Sequence, residues 1–264
     1  MSESAVLYAV ADRVATITLN RPETRNALNQ DVSAELVRLL RLADSDASVK
    51  CILIQAVGEN FSAGGDVKGF SDTLTLSPEE RYDQFERRLL VAGRLPNALL
   101  ENSKPIIAAT RGAVAGAGMA LCLAADFVIA ADNTYFLAAH VHLGLSVDCG
   151  LSGLLIGAMG IKAAKRFTLL GEKVVANDAL SLGIVTTVVA DSALEEEVAK
   201  LTRRVAKGPA AAMAGTKMLL NHAAFRDFGT VINEEAYALA RCASKDDFRK
   251  GVEGMLNKKP AVFD

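Results

Sequence analysis

Cysteine and histidine are scarce in this 264-residue chain, with four of the first and three of the second. Cys51, Cys122, Cys149 and Cys242 form no C-x-x-C pair and no zinc-type spacing. That excludes a classical zinc module and a disulfide framework. Three of the four lie in apolar runs, and all four read as reduced core residues of a cytoplasmic protein. Neither sign of charge dominates: 29 Lys and Arg stand against 31 Asp and Glu, a net charge of −2. The footprint of a nucleic-acid binder or of an anionic-membrane binder is therefore missing. Long apolar runs are missing too, each being broken by Arg, Asp or Gly before about 18 residues, so no membrane span is expected. The opening MSESAVLYAV has no basic stretch leading into an apolar one, and no secretory leader is expected. Short-period repeats and low-complexity tracts are absent as well.

What is present is apolar surface. Hydrophobic residues make up 51% of the chain, sufficient for the core of one large domain. Residues 5–10 and 14–19 are β-type runs around Asp12-Arg13, a hairpin signal. Asn29-Gln30-Asp31 opens a helix in which Val32, Leu36, Leu39, Leu40 and Ala43 recur at a spacing of three and four. KCILIQAV (50–57), KPIIAAT (104–110), DFVIAAD (126–132) and IVTTVV (184–189) read as strands. Ser77 to Leu90 reads as a polar helix, with a second piece reaching Leu100. From Gly160 the pattern turns helical, and after Gly208-Pro209 wholly so, over 210–223, 229–243 and 245–257. The expected class is α/β, with a core over 1–195 and a helical region over 196–264.

Two glycine-bearing loops each follow an expected buried strand: FSAGGD (61–66) and GAVAGAG (112–118), the latter running into an apolar helix. Gly116-x-Gly118 is no dinucleotide fingerprint, because Leu121 stands at the third glycine and Asp126 comes too early. CGLSG (149–153) is no nucleophile elbow, because Leu154 stands at its last glycine. His140 and His142 have only His222 elsewhere and make a poor metal set. Two readings remain open on the residues alone. The loops are tight turns, or their free N–H groups converge on one ligand oxygen as an oxyanion hole.

The segments ITLNRPETRNALN, ILIQAVGENFSAGGDVKGF, KPIIAATRGAVAGAGMALCLAADFVIA, LLGEKVVANDALSLGIVTTVV and GVEGMLNKKPAVF occur in this order. In them the chain resembles the crotonase (enoyl-CoA hydratase/isomerase) superfamily over nearly its whole length. The resemblance implies a spiral of ββα units with C-terminal helices that build a homotrimer or a dimer of trimers. It implies an acyl-CoA thioester as substrate, with coenzyme A as part of that substrate and no separate cofactor or metal. The N–H groups of Gly65 and Ala117 become the oxyanion donors. Arg25, Ala27, Ala63, Asp66, Val67, Lys68 and Gly116 fall where the family lines its coenzyme A groove.

Family hydratases carry two glutamates for water addition, and here Ala120 and His140 occupy those positions. Glu59 and Glu101 belong to segments leading away from the pocket. Asp148 falls where dienoyl-CoA isomerases and the ring isomerases of phenylacetate breakdown carry an aspartate; the GAG turn and the DCG that Asp148 opens are most similar to the ring isomerases. Chlorobenzoyl-CoA dehalogenases have an aspartate there as well. The resemblance thus implies an isomerase in which Asp148 shuttles a proton, with His140 as a second carrier or as a donor to Asp148. A helix N-cap is the alternative role for Asp148. Hydration and non-catalytic acyl-CoA binding are the competing functions.

Overall fold

The computed structural model describes residues 4–263, apart from the side chains of Val67 and Lys68. The chain opens with the expected hairpin of β1 (Val6–Ala11) and β2 (Val14–Leu19), Val6 facing Leu19. Asp12 and Arg13 connect them with φ of 48° and 68°, the left-handed pair of a two-residue turn whose twist suits a hairpin. Helix α1 (Gln30–Ser45) then crosses over, capped where the Val32 N–H donates to Asn29 Oδ1 at 2.9 Å. Its five-residue apolar stripe is fully buried, as its spacing predicts. It delivers the chain to β3 (Cys51–Ala56), parallel to β2.

From β3 onward the backbone winds as a spiral. Each turn adds a strand to a long sheet, then an extended piece to a smaller sheet, then a helix. In the first turn these are β3, the bridging residue Ser62, and α2 (Val67–Ser71). Two longer helices follow as an excursion, α3 (Pro78–Ala92) and α4 (Arg94–Leu100), the first opened by a capping box of Ser77 and Glu80. The second turn is β4 (Ile106–Thr110), β5 (Ala113–Ala115) and α5 (Gly116–Leu123). The third is β6 (Phe127–Ala131), β7 (Tyr135–Leu137) and, after a 3₁₀ turn over Ala139–Leu143, α6 (Leu151–Leu170). A closing turn supplies β8 (Lys173–Val175), α7 (Ala176–Ser181) and β9 (Thr187–Val189).

The long sheet runs β1-β2-β3-β4-β6-β9, and the small one β5-β7-β8. Both faces of the long sheet are covered, which is why its central strands are apolar at consecutive positions rather than alternate ones. Ile52, Ile54, Ile106 and Ala108 pack toward α1 in the main core. Cys51, Leu53, Ile107 and Ala109 face the other way, under Leu194, Val198 and Val205 of α8 (Leu194–Ala206).

The remaining helices are α9 (Ala210–Ala224), α10 (Phe228–Ala243) and α11 (Asp246–Leu256), within a residue or two of their sequence-based limits. Helix α10 buries Phe228 and Ile232 in the main core, and Leu239 and Ala240 beside Phe85 of α3. Its apolar face is thus covered by its own chain. Helix α9 is different, because Met218, Leu219 and Leu220 stay 50%, 65% and 65% exposed. The sequence reading passes over β7 and β8, each only three residues long and held by pairing with distant partners. It also starts α6 too late. The change of pattern at Gly160 is a break inside that helix, where φ is 74° and ψ 161°.

Candidate active site

Successive turns of the spiral bring the two glycine loops together. Ser62 bridges Val114, with the Ser62 N–H donating to Ala113 O and the Ala115 N–H donating to Ser62 O, both at 3.0 Å. Three residues beyond this bridge stand Gly65 in one loop and Ala117 at the start of α5. They occupy the same step of neighbouring turns. The loops touch: a Cβ added at Gly64, whose φ is +88°, would lie 2.8 Å from Ala115 O. Only glycine accepts both that backbone and that approach. Gly118 allows a second close approach, since a Cβ there would lie 2.5 Å from Ser62 Cβ.

Ala117 lies in the first turn of α5, where N–H groups have no acceptor within their own helix, and the N-cap residue Ala115 offers no capping side chain. Gly65 donates in none of the loop hydrogen bonds of the described residues. Both line a cleft of about 450 Å³, together with Ala63 and Gly116. Its walls are largely hydrocarbon, and Phe70, Phe85 and Leu239 contribute to them. Arg88 also reaches the wall, its guanidinium 5.6 Å and 5.7 Å from the ring centres of Phe70 and Phe85. Burial pulls its pKa below the ordinary arginine value, and the charge of Asp66 opposes that shift.

Asp148 and His140 complete the cleft. His140 stands on the 3₁₀ turn after β7, and its Nε2 lies 3.1 Å from Asp148 Oδ1. His142 turns away, its Nε2 3.0 Å from Gly171 O, so the two histidines do not converge. Ala120, buried at 3% exposure, adds only a methyl group to the wall.

The helix-cap alternative for Asp148 fails. The N-cap of α6 is Gly150, and no side chain caps it from that position. The first N–H groups of α6 instead reach Glu235 on α10, with Gly150 N donating to Oε2 at 2.6 Å and Ser152 N to Oε1 at 2.8 Å. The Asp148 side chain meets His140 and the neighbouring Cys149 thiol instead, and lines the cleft. Burial and the nearby charges of Asp148 and Glu235 push the Cys149 thiol well above its ordinary pKa, so it stays protonated.

The other expected groove residues spread outward from this centre. Arg25, Ala27 and Asp66 are not on the cleft wall. Arg25 is exposed with φ of 52°, and its carbonyl accepts from the Ala63 N–H at 2.9 Å. Ala27 is buried, its carbonyl accepting from Arg21 Nη1 at 3.1 Å. Val67 and Lys68 open α2, and their side chains lie outside the described residues. Sequence reasoning misses Phe70, Arg88 and Glu235. Glu235 left one available signal, a carboxylate on the apolar face of α10 that otherwise carries Phe228, Ile232 and Leu239.

A spiral of ββα turns with a cleft between its helix-opening loops is a crotonase fold. Residues 10–264 match the family model described as Enoyl-CoA hydratase/isomerase, and the chain belongs to that family. A 1,2-epoxyphenylacetyl-CoA isomerase of Escherichia coli is 33% identical over 98% of this chain and 97% of its own. A trans-2-decenoyl-[acyl-carrier-protein] isomerase of Streptococcus mutans is 32% identical over 100% and 99%. A probable enoyl-CoA hydratase of Rhodobacter capsulatus is also 32% identical, over 100% and 99%. Among solved structures, an enoyl-CoA hydratase from Mycobacterium avium subsp. paratuberculosis superposes with a TM-score of 0.89 at 28% identity, covering 99% of each chain.

Proposed function

We propose that this member of the family isomerises an unsaturated, aryl or epoxide acyl-CoA thioester, and that it adds no water. The thioester carbonyl accepts hydrogen bonds from the Gly65 and Ala117 N–H groups. Losing one such donor typically removes about 2.7–4 kcal/mol of transition-state stabilisation. Asp148 takes a proton from one carbon, and the electron pair of the broken C–H bond spreads onto the carbonyl oxygen as an enolate. The same carboxyl then returns the proton to another carbon, so the atoms of substrate and product are the same. His140 donates to Asp148 and holds it. Ala63 and Gly116, with Arg25, Ala27, Asp66, Val67 and Lys68 flanking them, receive the coenzyme A portion. The working form is a homotrimer or a dimer of trimers.

One observation carries this reading: among the described residues, Asp148 is the only carboxylate on the cleft wall. Water addition calls for one group to activate water and a second to deliver the proton, each worth about 10²- to 10⁴-fold. Ala120 supplies neither, and the one imidazole on the wall, His140, is tied to Asp148. The test is a panel of unsaturated, aryl and epoxide coenzyme A thioesters, with matched acyl-carrier-protein thioesters as a second arm. Each is followed by ultraviolet absorbance and mass spectrometry. Isomerisation gives turnover with product mass unchanged. Efficient formation of a product heavier by one water overturns the reading in favour of a hydratase, and binding without turnover favours a non-catalytic acyl-CoA binder.

A further inference from the structure

The turn that carries Asp148 is not self-supporting. Cys149 and Gly150 have φ of 57° and 77°, two consecutive left-handed residues, and the first of them bears a side chain. Gly150 is the N-cap of α6 and has no side chain with which to satisfy the free N–H groups behind it. Support comes from α10, about 85 positions further along the chain. Both carboxylate oxygens of Glu235 are used. Oε2 accepts from the Gly150 N–H at 2.6 Å, and Oε1 accepts from the Ser152 N–H at 2.8 Å and from Ser152 Oγ at 2.5 Å.

Phe228 presses on the same turn from the same face of α10, two helical turns before Glu235. A Cβ placed on Gly150 would lie 2.3 Å from Phe228 Cζ. The ring therefore fills the space a side chain would need, and the turn is held both by packing and by hydrogen bonds to α10. Glu235 is only 6% exposed, and burial raises its pKa against the pull of the Ser152 and Gly150 hydrogen bonds. Burying a carboxylate is costly unless its oxygens are paired. Here all the pairing goes to Gly150 and Ser152, just past Asp148 and Cys149.

We propose that Glu235 is the positioning residue of the site: it fixes the Cys149–Gly150 turn and so holds Asp148 against His140 and toward the cleft. This rests on the reading of Asp148 as the proton carrier. It makes the C-terminal helices part of the active site of their own chain, beyond any role in assembly. Glu235 does not face the ligand. Its substitution therefore changes the rate of the chemical step and leaves thioester binding intact.

The experiment compares wild type with Glu235→Gln, Phe228→Leu and Ser152→Ala. Glu235→Gln keeps the volume but turns an NH₂ group toward one of the two N–H donors. Its expected effect is a fall in kcat of about 10²-fold at nearly constant KM, the size of loss that follows from displacing a reacting group by about 1 Å. The second readout needs no turnover. The ¹⁵N signals of the three imidazoles, assigned with a His140→Gln variant, report whether His140 Nε2 is bonded to the Asp148 carboxylate. Glu235→Gln is expected to move the His140 signals in the same direction as Asp148→Asn does. Phe228→Leu relaxes the turn from its packed side and is expected to produce a smaller change of the same kind, which keeps the test informative if Glu235→Gln folds poorly. Ser152→Ala removes the hydroxyl bond to Oε1 but leaves both N–H bonds in place, and is expected to lower kcat by less than Glu235→Gln does. Wild-type kcat together with unmoved His140 signals in Glu235→Gln overturns the proposal. An inactive wild type would instead count against the isomerase reading, while the His140 signals would still decide the role of Glu235.

Discussion

His140 Nε2 lies 3.1 Å from Asp148 Oδ1, and His140 Nδ1 is buried without a partner among the described residues. An ionised carboxylate only accepts hydrogen bonds, so the shared proton belongs to Nε2. In a neutral ring Nδ1 then carries a lone pair alone. The arrangement aims the carboxylate and limits its rotation.

Removing that donor should slow the chemistry without weakening binding. A hydrogen bond to a charged group contributes about 1.5–3 kcal/mol. If it acts mainly in the proton-transfer step, His140→Ala lowers kcat by about 10- to 100-fold at constant KM. Steady-state kinetics on the active thioester checks this. A large rise in KM at unchanged kcat would instead make His140 a binding residue.

The thiols should divide three to one. Cys51, Cys122 and Cys149 are buried, whereas Cys242 is partly exposed. Burial pushes Cys51 up to about 12, with the charge of Asp126 adding to the effect, and it raises Cys122 and Cys149 as well. The thiolate is the reactive form. Titration with an aromatic disulfide reagent near pH 8 should therefore find one accessible thiol in the native protein and four after denaturation. Fast reaction of a second native thiol would show that a core segment opens.

Assembly should be visible in solution. Met218, Leu219 and Leu220 of α9 and Leu169 and Leu170 at the end of α6 stand exposed on the single chain, apolar side chains that a subunit contact would cover. Light scattering at micromolar concentration should return three or six times the chain mass of 27.9 kDa. A stable species at one chain mass would contradict the trimer-based assembly.

Local signals carried much of this fold. The Asp12-Arg13 turn, the Asn29 cap, the stripe of α1 and the three terminal helices depend on residues within a few positions of one another, and the structure follows the sequence there. The two glycine loops were also legible, because a strand running into small residues at a helix start leaves free N–H groups. What stayed hidden depends on distant pairing. Ser62 opposite Val114 sets the step between Gly65 and Ala117, and β7 and β8 exist only through their neighbours. Glu235 reaches the Asp148 turn from the far end of the chain. Arg25, Ala27 and Asp66 share loops with wall residues without reaching the wall, a difference that spacing along the chain does not encode.

The central claim is that Asp148 carries the proton, and Asp148→Asn tests it most directly. The amide keeps the size of the side chain and can still accept from His140 Nε2, but it takes up no proton at neutral pH. Turnover, thioester affinity and melting temperature are measured side by side in wild type and variant on whichever thioester proves active. The expected result is a loss of isomerisation of about 10²- to 10⁴-fold, the range for removal of a general acid–base group, with affinity and melting temperature nearly unchanged. Near-wild-type isomerisation by Asp148→Asn would contradict it.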